Sequence, residues 1–124
     1  MIRRIEHVGI MVKDMDESIW FYQEAFGMLI RSREQLNPDV ELCFLYFEQS
    51  PDVEVELICG RPMDSEEGRV NHLAFRVENI SEEMTRLVKL GAEPLDQEAR
   101  TILGNVKIAF LRGLNGEKLE LVER

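Results

Sequence analysis

Basic residues, cysteine and long apolar runs are what this chain is short of, and each shortage closes a class of function. Fifteen lysines and arginines stand against 24 acids, a formal net charge of −9, and the basic residues are scattered among acids instead of forming a stripe. Such a surface repels a phosphate backbone, so nucleic acid is not an expected partner. Two cysteines, Cys43 and Cys59, are too few for a disulfide framework and are not spaced as a Cys-x-x-Cys pair. Both read as buried thiols of a core. No stretch approaches the roughly 18 consecutive apolar residues of a membrane span. The opening Met1-Ile2-Arg3-Arg4-Ile5-Glu6 also lacks the apolar block of a secretory signal. The expectation is a cytoplasmic protein with no membrane partner.

What the chain does have is an ordinary globular composition, 44% hydrophobic and 31% charged over 124 residues. That length fits one domain, residues 1–124, able to bury a core without disulfides or other staples.

The halves repeat each other. His7-Val8-Gly9-Ile10-Met11-Val12 returns 65 residues later as His72-Leu73-Ala74-Phe75-Arg76-Val77, each a histidine opening an alternating run that reads as a strand. Seven residues after each histidine stands a helix N-cap type, Asp14 and Asn79, with Glu17 and Glu82 three residues further on as in a capping box. Met15, Ile19, Tyr22 and Phe26 give the first helix one apolar stripe, and Ile80, Met84, Leu87 and Leu90 do the same for the second. Gly27 and Gly91 suit the left-handed residue that ends a helix. Alternating runs follow at 28–34, 41–47 and 53–59, then at 92–98, 106–111 and 118–122. The fold class is α+β: a first module over about 1–60, a linker over about 61–68 rich in turn formers and acids, and a second module over about 69–124. Asn115-Gly116 suits a tight turn before the last strand.

The ionisable residues fall in equivalent places. Strand alternation puts His7 on a face with Ile5, Gly9 and Met11, leaving Val8, Ile10 and Val12 for the helix. In the last run of that half Val53, Val55, Leu57 and Cys59 form the apolar face, opposite Glu54 and Glu56. The second half repeats this, with Leu73, Phe75 and Val77 inward against His72, Ala74 and Arg76, and Leu119 and Leu121 alternating with Lys118, Glu120 and Val122. His7 and Glu56 are 49 residues apart, His72 and Glu120 are 48 apart, so each half delivers one imidazole and one carboxylate from its first and last strands. A lone strand histidine is more often a hydrogen-bonded polar residue than a ligand. A carboxylate turned into a sheet is costly without a cation, and two in register with two histidines point to a metal held by His7, Glu56, His72 and Glu120. The mixed nitrogen and oxygen set suits one divalent Ni, Co, Mn, Fe or Zn ion and does not choose among them.

Ile5-Glu6-His7-Val8-Gly9-Ile10, Trp20-Phe21-Tyr22 before Gly27, Val55-Glu56-Leu57, Asn71 through Val77 and Gly116 through Glu123, in this order and spacing, resemble the vicinal oxygen chelate (glyoxalase) superfamily. The resemblance covers essentially the whole chain. It implies two βαβββ modules forming a curved mixed sheet around one metal, and a small substrate that chelates the metal through two oxygens. Relatives of this length usually dimerise, so a homodimer is implied too, with some relatives assembling the metal site from two chains. Extradiol dioxygenases and fosfomycin-modifying transferases of the superfamily use two histidines and one glutamate, and bleomycin-binding relatives generally lack the ligand set. A filled fourth position favours a glyoxalase-like lyase or isomerase working through a metal-stabilised enediolate. The alternatives are a methylmalonyl-CoA epimerase-like enzyme and a non-catalytic, resistance-type binding protein.

By the same resemblance Glu120 doubles as ligand and base, and Glu41 stands where the epimerases carry an opposing acid, although a solvated strand residue is the commoner state for such an acid. Glutathione-using members carry Arg and Asn where this chain has Met11 and Gly60, and the segment Arg112 to Gly116 is shorter than in the epimerases. Trp20, Phe21 and Tyr22 read as helix core. Arg76 reads as an anion-holding side chain or as an ion-pair partner of Glu54 or another acid.

Overall fold

A computed structural model describes residues 1–62, 68–114 and 116–124. Its elements run β1 (Ile2–Val12), α1 (Met15–Phe26), β2 (Leu29–Gln35), β3 (Glu41–Phe47), β4 (Ser50–Cys59), β5 (Val70–Val77), α2 (Ile80–Lys89), β6 (Glu93–Pro94), β7 (Arg100–Ile102), β8 (Val106–Arg112) and β9 (Lys118–Glu123). The chain divides into two compact units, His7–Asn71 and Met1–Glu6 with His72–Arg124, and the division falls inside β1. The 63–67 part of the expected linker and Asn115 of the expected turn lie outside the described residues. Beside that turn, Gly116 has φ +83° and donates its N–H to the Gly113 carbonyl.

In the unit His7–Asn71 the strands lie in the order β2-β3-β4-β1. β1 and β4 are parallel neighbours, with Gly9 opposite Glu56 and Ile10 opposite Leu57. Parallel pairing needs a long crossover, and α1 with β2 and β3 supplies it. The core is the face the alternation assigned: Leu57, Leu45 and Cys43, each fully buried, pack with Met15, Ile19 and Met28, and Ile10, Val12, Val55 and Tyr22 close around them. Asp14 caps α1 by accepting from the Glu17 N–H at 2.8 Å, and Gly27, at φ +71°, ends it in the left-handed conformation.

In the other unit the order is β1-β5-β9-β8-β6, with β7 paired to β8. β5 and β9 are parallel, Ala74 lying opposite Glu120 as Gly9 lies opposite Glu56. One face packs Val77, Ala109, Leu111 and Leu121 under Ile80 and Met84 of α2. The other carries a second cluster, Ala74, Val106, Ile108 and Val122, with Phe110 against it. Asn79 caps α2 from the left-handed region, φ +36°, its side chain accepting from the Glu82 N–H at 3.3 Å. The Glu123 carboxylate accepts from the Ile80 N–H at 3.0 Å, satisfying another donor of the same helix end.

Several expectations meet corrections. Of the strand expected over 92–98 only β6 forms, and β7 pairs with β8 beyond it. Pro94 has no N–H for the ladder, and Leu95 and Asp96 both donate to the one Phe110 carbonyl, a bulge that ends the pairing. Trp20 and Phe21 are 62% and 50% exposed, not helix core, and Phe26 and Leu90 leave the apolar stripes for solvent. On α1 only Met15 and Ile19 are buried, and Tyr22 packs partly buried against the same core. The second helix ends as the sequence implies: Leu90 is its C-cap and Gly91 follows at φ +111°, with the Ala92 N–H returning to the Leu87 carbonyl at 3.0 Å. Cys43 is buried as expected, and burial pushes its thiol pKa up. Cys59 is half-buried at the end of β4, its thiol donating to the Lys13 carbonyl. No helix among the described residues is long and apolar enough to cross a membrane.

Leu57 has no exposed surface and sits at the centre of its cluster, whereas the Asp14 cap is exposed. Leu57→Ala should therefore cost about 2–5 kcal/mol and Asp14→Ala about 1 kcal/mol. Urea titrations followed by circular dichroism will show both, and the reverse ranking would place the core elsewhere.

Candidate metal centre

Each unit places an imidazole beside a carboxylate by the same construction. In the first, His7 Nε2 lies 3.6 Å from Glu56 Oε1; in the second, His72 Nε2 lies 2.8 Å from Glu120 Oε2. The histidine comes from the first strand of the module and the glutamate from its last. Parallel pairing sets each glutamate opposite the residue two beyond the histidine, on the histidine's own face. Those residues are Gly9 and Ala74, small enough for the carboxylate to reach back over them to the ring.

Burial is close to complete: His7 is 2% exposed, His72 5%, Glu56 7% and Glu120 4%. An aromatic edge seals each pair. Phe44, opposite Glu56 on β3, meets His7 in a T-shaped contact with centroids 6.1 Å apart; Phe110, opposite Glu120 on β8, meets His72 at 5.5 Å. The sequence reading passed over both rings although the repeat marked them, 37 residues after His7 and 38 after His72.

His72 and Glu120 thus offer two ligand atoms side by side in one unit, and His7 and Glu56 two in the other. Two donors sharing a cation at about 2.0–2.2 Å stand about 3 Å apart when adjacent and about 4.3 Å apart when opposite. The 2.8 Å and 3.6 Å separations fall within or close to that span. Donor type, burial and spacing thus fit a divalent cation. Glu56 keeps its place beside His7.

The other candidates lie as follows. Glu41 opens β3, partly exposed, and accepts from Arg33 Nη2 at 3.2 Å; Arg33 also donates from Nη1 to Asp16 at 2.7 Å. These two carboxylates raise the Arg33 pKa further above its ordinary value. Arg76 pairs with Glu6 at 3.4 Å, not with Glu54. Glu6, 2% exposed, also accepts from Arg124 Nη2 at 2.8 Å and Nε at 3.0 Å. Glu54 is bound by Arg31 through both of its oxygens. Gly60, where glutathione users are expected to carry Asn, has φ +107°, and a Cβ built there would stand 1.9 Å from the Asp39 carbonyl oxygen. The backbone at that point has no room for any side chain.

Residues 6–122 match the model of the Glyoxalase/Bleomycin resistance protein/Dioxygenase superfamily, and the chain belongs to that family. It is 38% identical to the uncharacterized protein YwbC of Bacillus subtilis (strain 168), with all of both chains covered. To the lactoylglutathione lyase of Haemophilus influenzae it is 31% identical, covering 97% of this chain and 92% of the relative. Methylmalonyl-CoA epimerase from Mycobacterium tuberculosis is similar in structure, with a TM-score of 0.82, 26% identity, and coverage of 98% of this chain and 88% of that one.

Gly60→Asn should lower stability by more than about 2 kcal/mol, because both the left-handed backbone and the Asp39 carbonyl oppose a side chain. Thermal unfolding of the variant measures it, and an unchanged Tm would show that Gly60 is a free choice of this sequence.

Proposed function

We propose that this protein is a metal-dependent lyase or isomerase of the glyoxalase type, acting in the cytoplasm as a homodimer on a small substrate that presents two oxygens to the metal. One divalent ion is held by His7, His72 and Glu120, with Glu56 as fourth ligand. The observation that carries this reading is the burial of Glu120 at 2.8 Å from His72, repeated in the other unit by Glu56, buried 3.6 Å from His7. When bound, such an ion polarises a carbonyl oxygen and so acidifies the carbon beside it.

Everything else falls to the chain. Glu120 is the candidate base, since it is a carboxylate within reach of the ligand cluster and can take a proton from that carbon and return it. Phe44 and Phe110 keep water from the imidazoles, which strengthens every charge interaction between them. Glu41 is weaker as a second base, because its carboxylate is committed to Arg33. Glutathione is a poor fit, since Met11 offers no charge and Gly60 no side chain. An acyl thioester of the epimerase kind is the second reading, favoured by the match in fold to methylmalonyl-CoA epimerase.

Elemental analysis of purified protein should find about one divalent metal per chain. Glu120→Gln and His72→Ala should each reduce occupancy about tenfold or more, and Glu56→Gln by less. Full occupancy in all three variants would remove the metal centre from this account. Solvent deuterium should enter a hemithioacetal or methylmalonyl-CoA in the presence of the metal-loaded protein. Tight binding with no exchange into either would mark a sequestering protein instead.

A further inference from the structure

One end of the unit His7–Asn71 is apolar and open. Phe26 closes α1, and Gly27 and Met28 lead from it straight into Leu29 and Ile30, the first residues of β2. Across the ladder Leu29 lies opposite Tyr46 and Ile30 opposite Leu45, so the start of β2 stands beside the end of β3, where Phe47 pairs with Ser50 at the hairpin. Val53 stands near the start of β4. Phe21 reaches the same end from the later turns of α1, its ring 5.8 Å from that of Phe26 in a T-shaped contact. These six side chains remain 40–53% exposed.

Six large apolar side chains about half exposed leave about 500 Å² of apolar surface, the upper range of the largest patch on a monomer. The sheet is also incomplete at this place. β2 ends the order β2-β3-β4-β1, and among the described residues no strand pairs with its outer edge. An edge strand entered through two exposed aliphatic residues is a surface that natural proteins cover. Glu24, Glu48 and Asp52 are exposed in the same segments and give the patch an acidic border. That border turns away phosphate backbones and anionic lipid surfaces, which leaves a protein surface as the occupant.

We propose that this end of the unit is a self-docking surface, at which two copies of the chain meet about a two-fold axis. A two-fold contact needs one self-complementary patch, and about 500 Å² from each copy gives about 1,000 Å², the size at which a specific interface begins. The contact also covers the open edge of β2 in both copies. This rests on the homodimer reading above and adds to it the face through which the copies meet. Apolar burial supplies the attraction, while the acidic borders repel across the axis, so the dimer tightens as salt screens them.

Sedimentation equilibrium of the full-length protein should show twice the chain mass. Phe47→Glu and Phe21→Gln should each raise the dimer dissociation constant about thirtyfold or more, the effect of losing one central apolar contact. Phe47→Leu should change it less than about threefold. Leu90→Glu, at a more exposed apolar site of the other unit, should leave it unchanged. Circular dichroism keeps a folding defect apart from dissociation, and Phe21→Gln, at an exposed helix position, decides if Phe47→Glu unfolds. From about 0.05 to about 0.5 M NaCl the constant should fall about threefold. A dimer that persists in the folded variants, one that Leu90→Glu breaks equally, or one that salt weakens overturns this face and leaves the homodimer reading standing. A protein that stays monomeric up to about 0.1 mM overturns both.

Discussion

Burying a carboxylate is costly unless a positive partner waits for it, and that constraint organises this molecule. The interior of the described chain holds five buried glutamates besides a shared interest in charge: Glu6, Glu54, Glu56, Glu83 and Glu120. Three of them meet guanidinium groups. Arg124 and Arg76 serve Glu6, Arg31 serves Glu54, and Arg86 serves Glu83 together with the Met1 amino group. Hydrogen bonds to permanently charged donors satisfy these acids in place. Glu56 and Glu120 stand against imidazoles instead, and an imidazole is as ready to be a metal ligand as a cation. The difference in partner separates acids that fasten the fold from acids available for chemistry.

The strand arrangement follows from the same requirement. A hairpin would bring the histidine strand and the glutamate strand together with any register, but it would join them through a short turn and leave no helix to cover the apolar face. A parallel pair needs the crossover, and the crossover supplies the helix. Within the pair a carboxylate reaches back to an imidazole only if the residue between them on that face is small, and Gly9 and Ala74 answer that need. Phe44 and Phe110, one strand further out, then close the pairs from water.

Much of this was legible in the sequence because it rests on backbone periodicity. Helix caps at Asp14 and Asn79, the two inward faces, and the equal spacing of His7 to Glu56 and His72 to Glu120 are all consequences of period two and period 3.6, which a single chain displays. What was not legible depended on which surface an element meets. Nothing in Trp20-Phe21-Tyr22 tells which side chain turns to the core, so all three read alike although Trp20 and Phe21 are exposed. Arg76 had several acids to choose from, and only the folded chain pairs it with Glu6. Pro94 announced the broken strand, but the double use of the Phe110 carbonyl that completes the bulge is tertiary.

The repeat also shows where a duplicated scaffold keeps its chemistry and where it parts from it. Positions whose side chains are dictated by the sheet itself agree in kind across the halves: histidine, small residue, phenylalanine, glutamate. The cation above the phenylalanine occurs in both halves too, but its surroundings differ. Arg31 lies beside Glu54, an acid on the strand that carries Glu56, and is bound by it, whereas Lys118 rises from the glutamate strand itself and reaches the ring from there. The first arrangement uses positive charge to settle a buried acid, and the second draws it from the strand that carries Glu120. A pair of modules alike in backbone thus becomes unlike in how each supplies the cation above its phenylalanine.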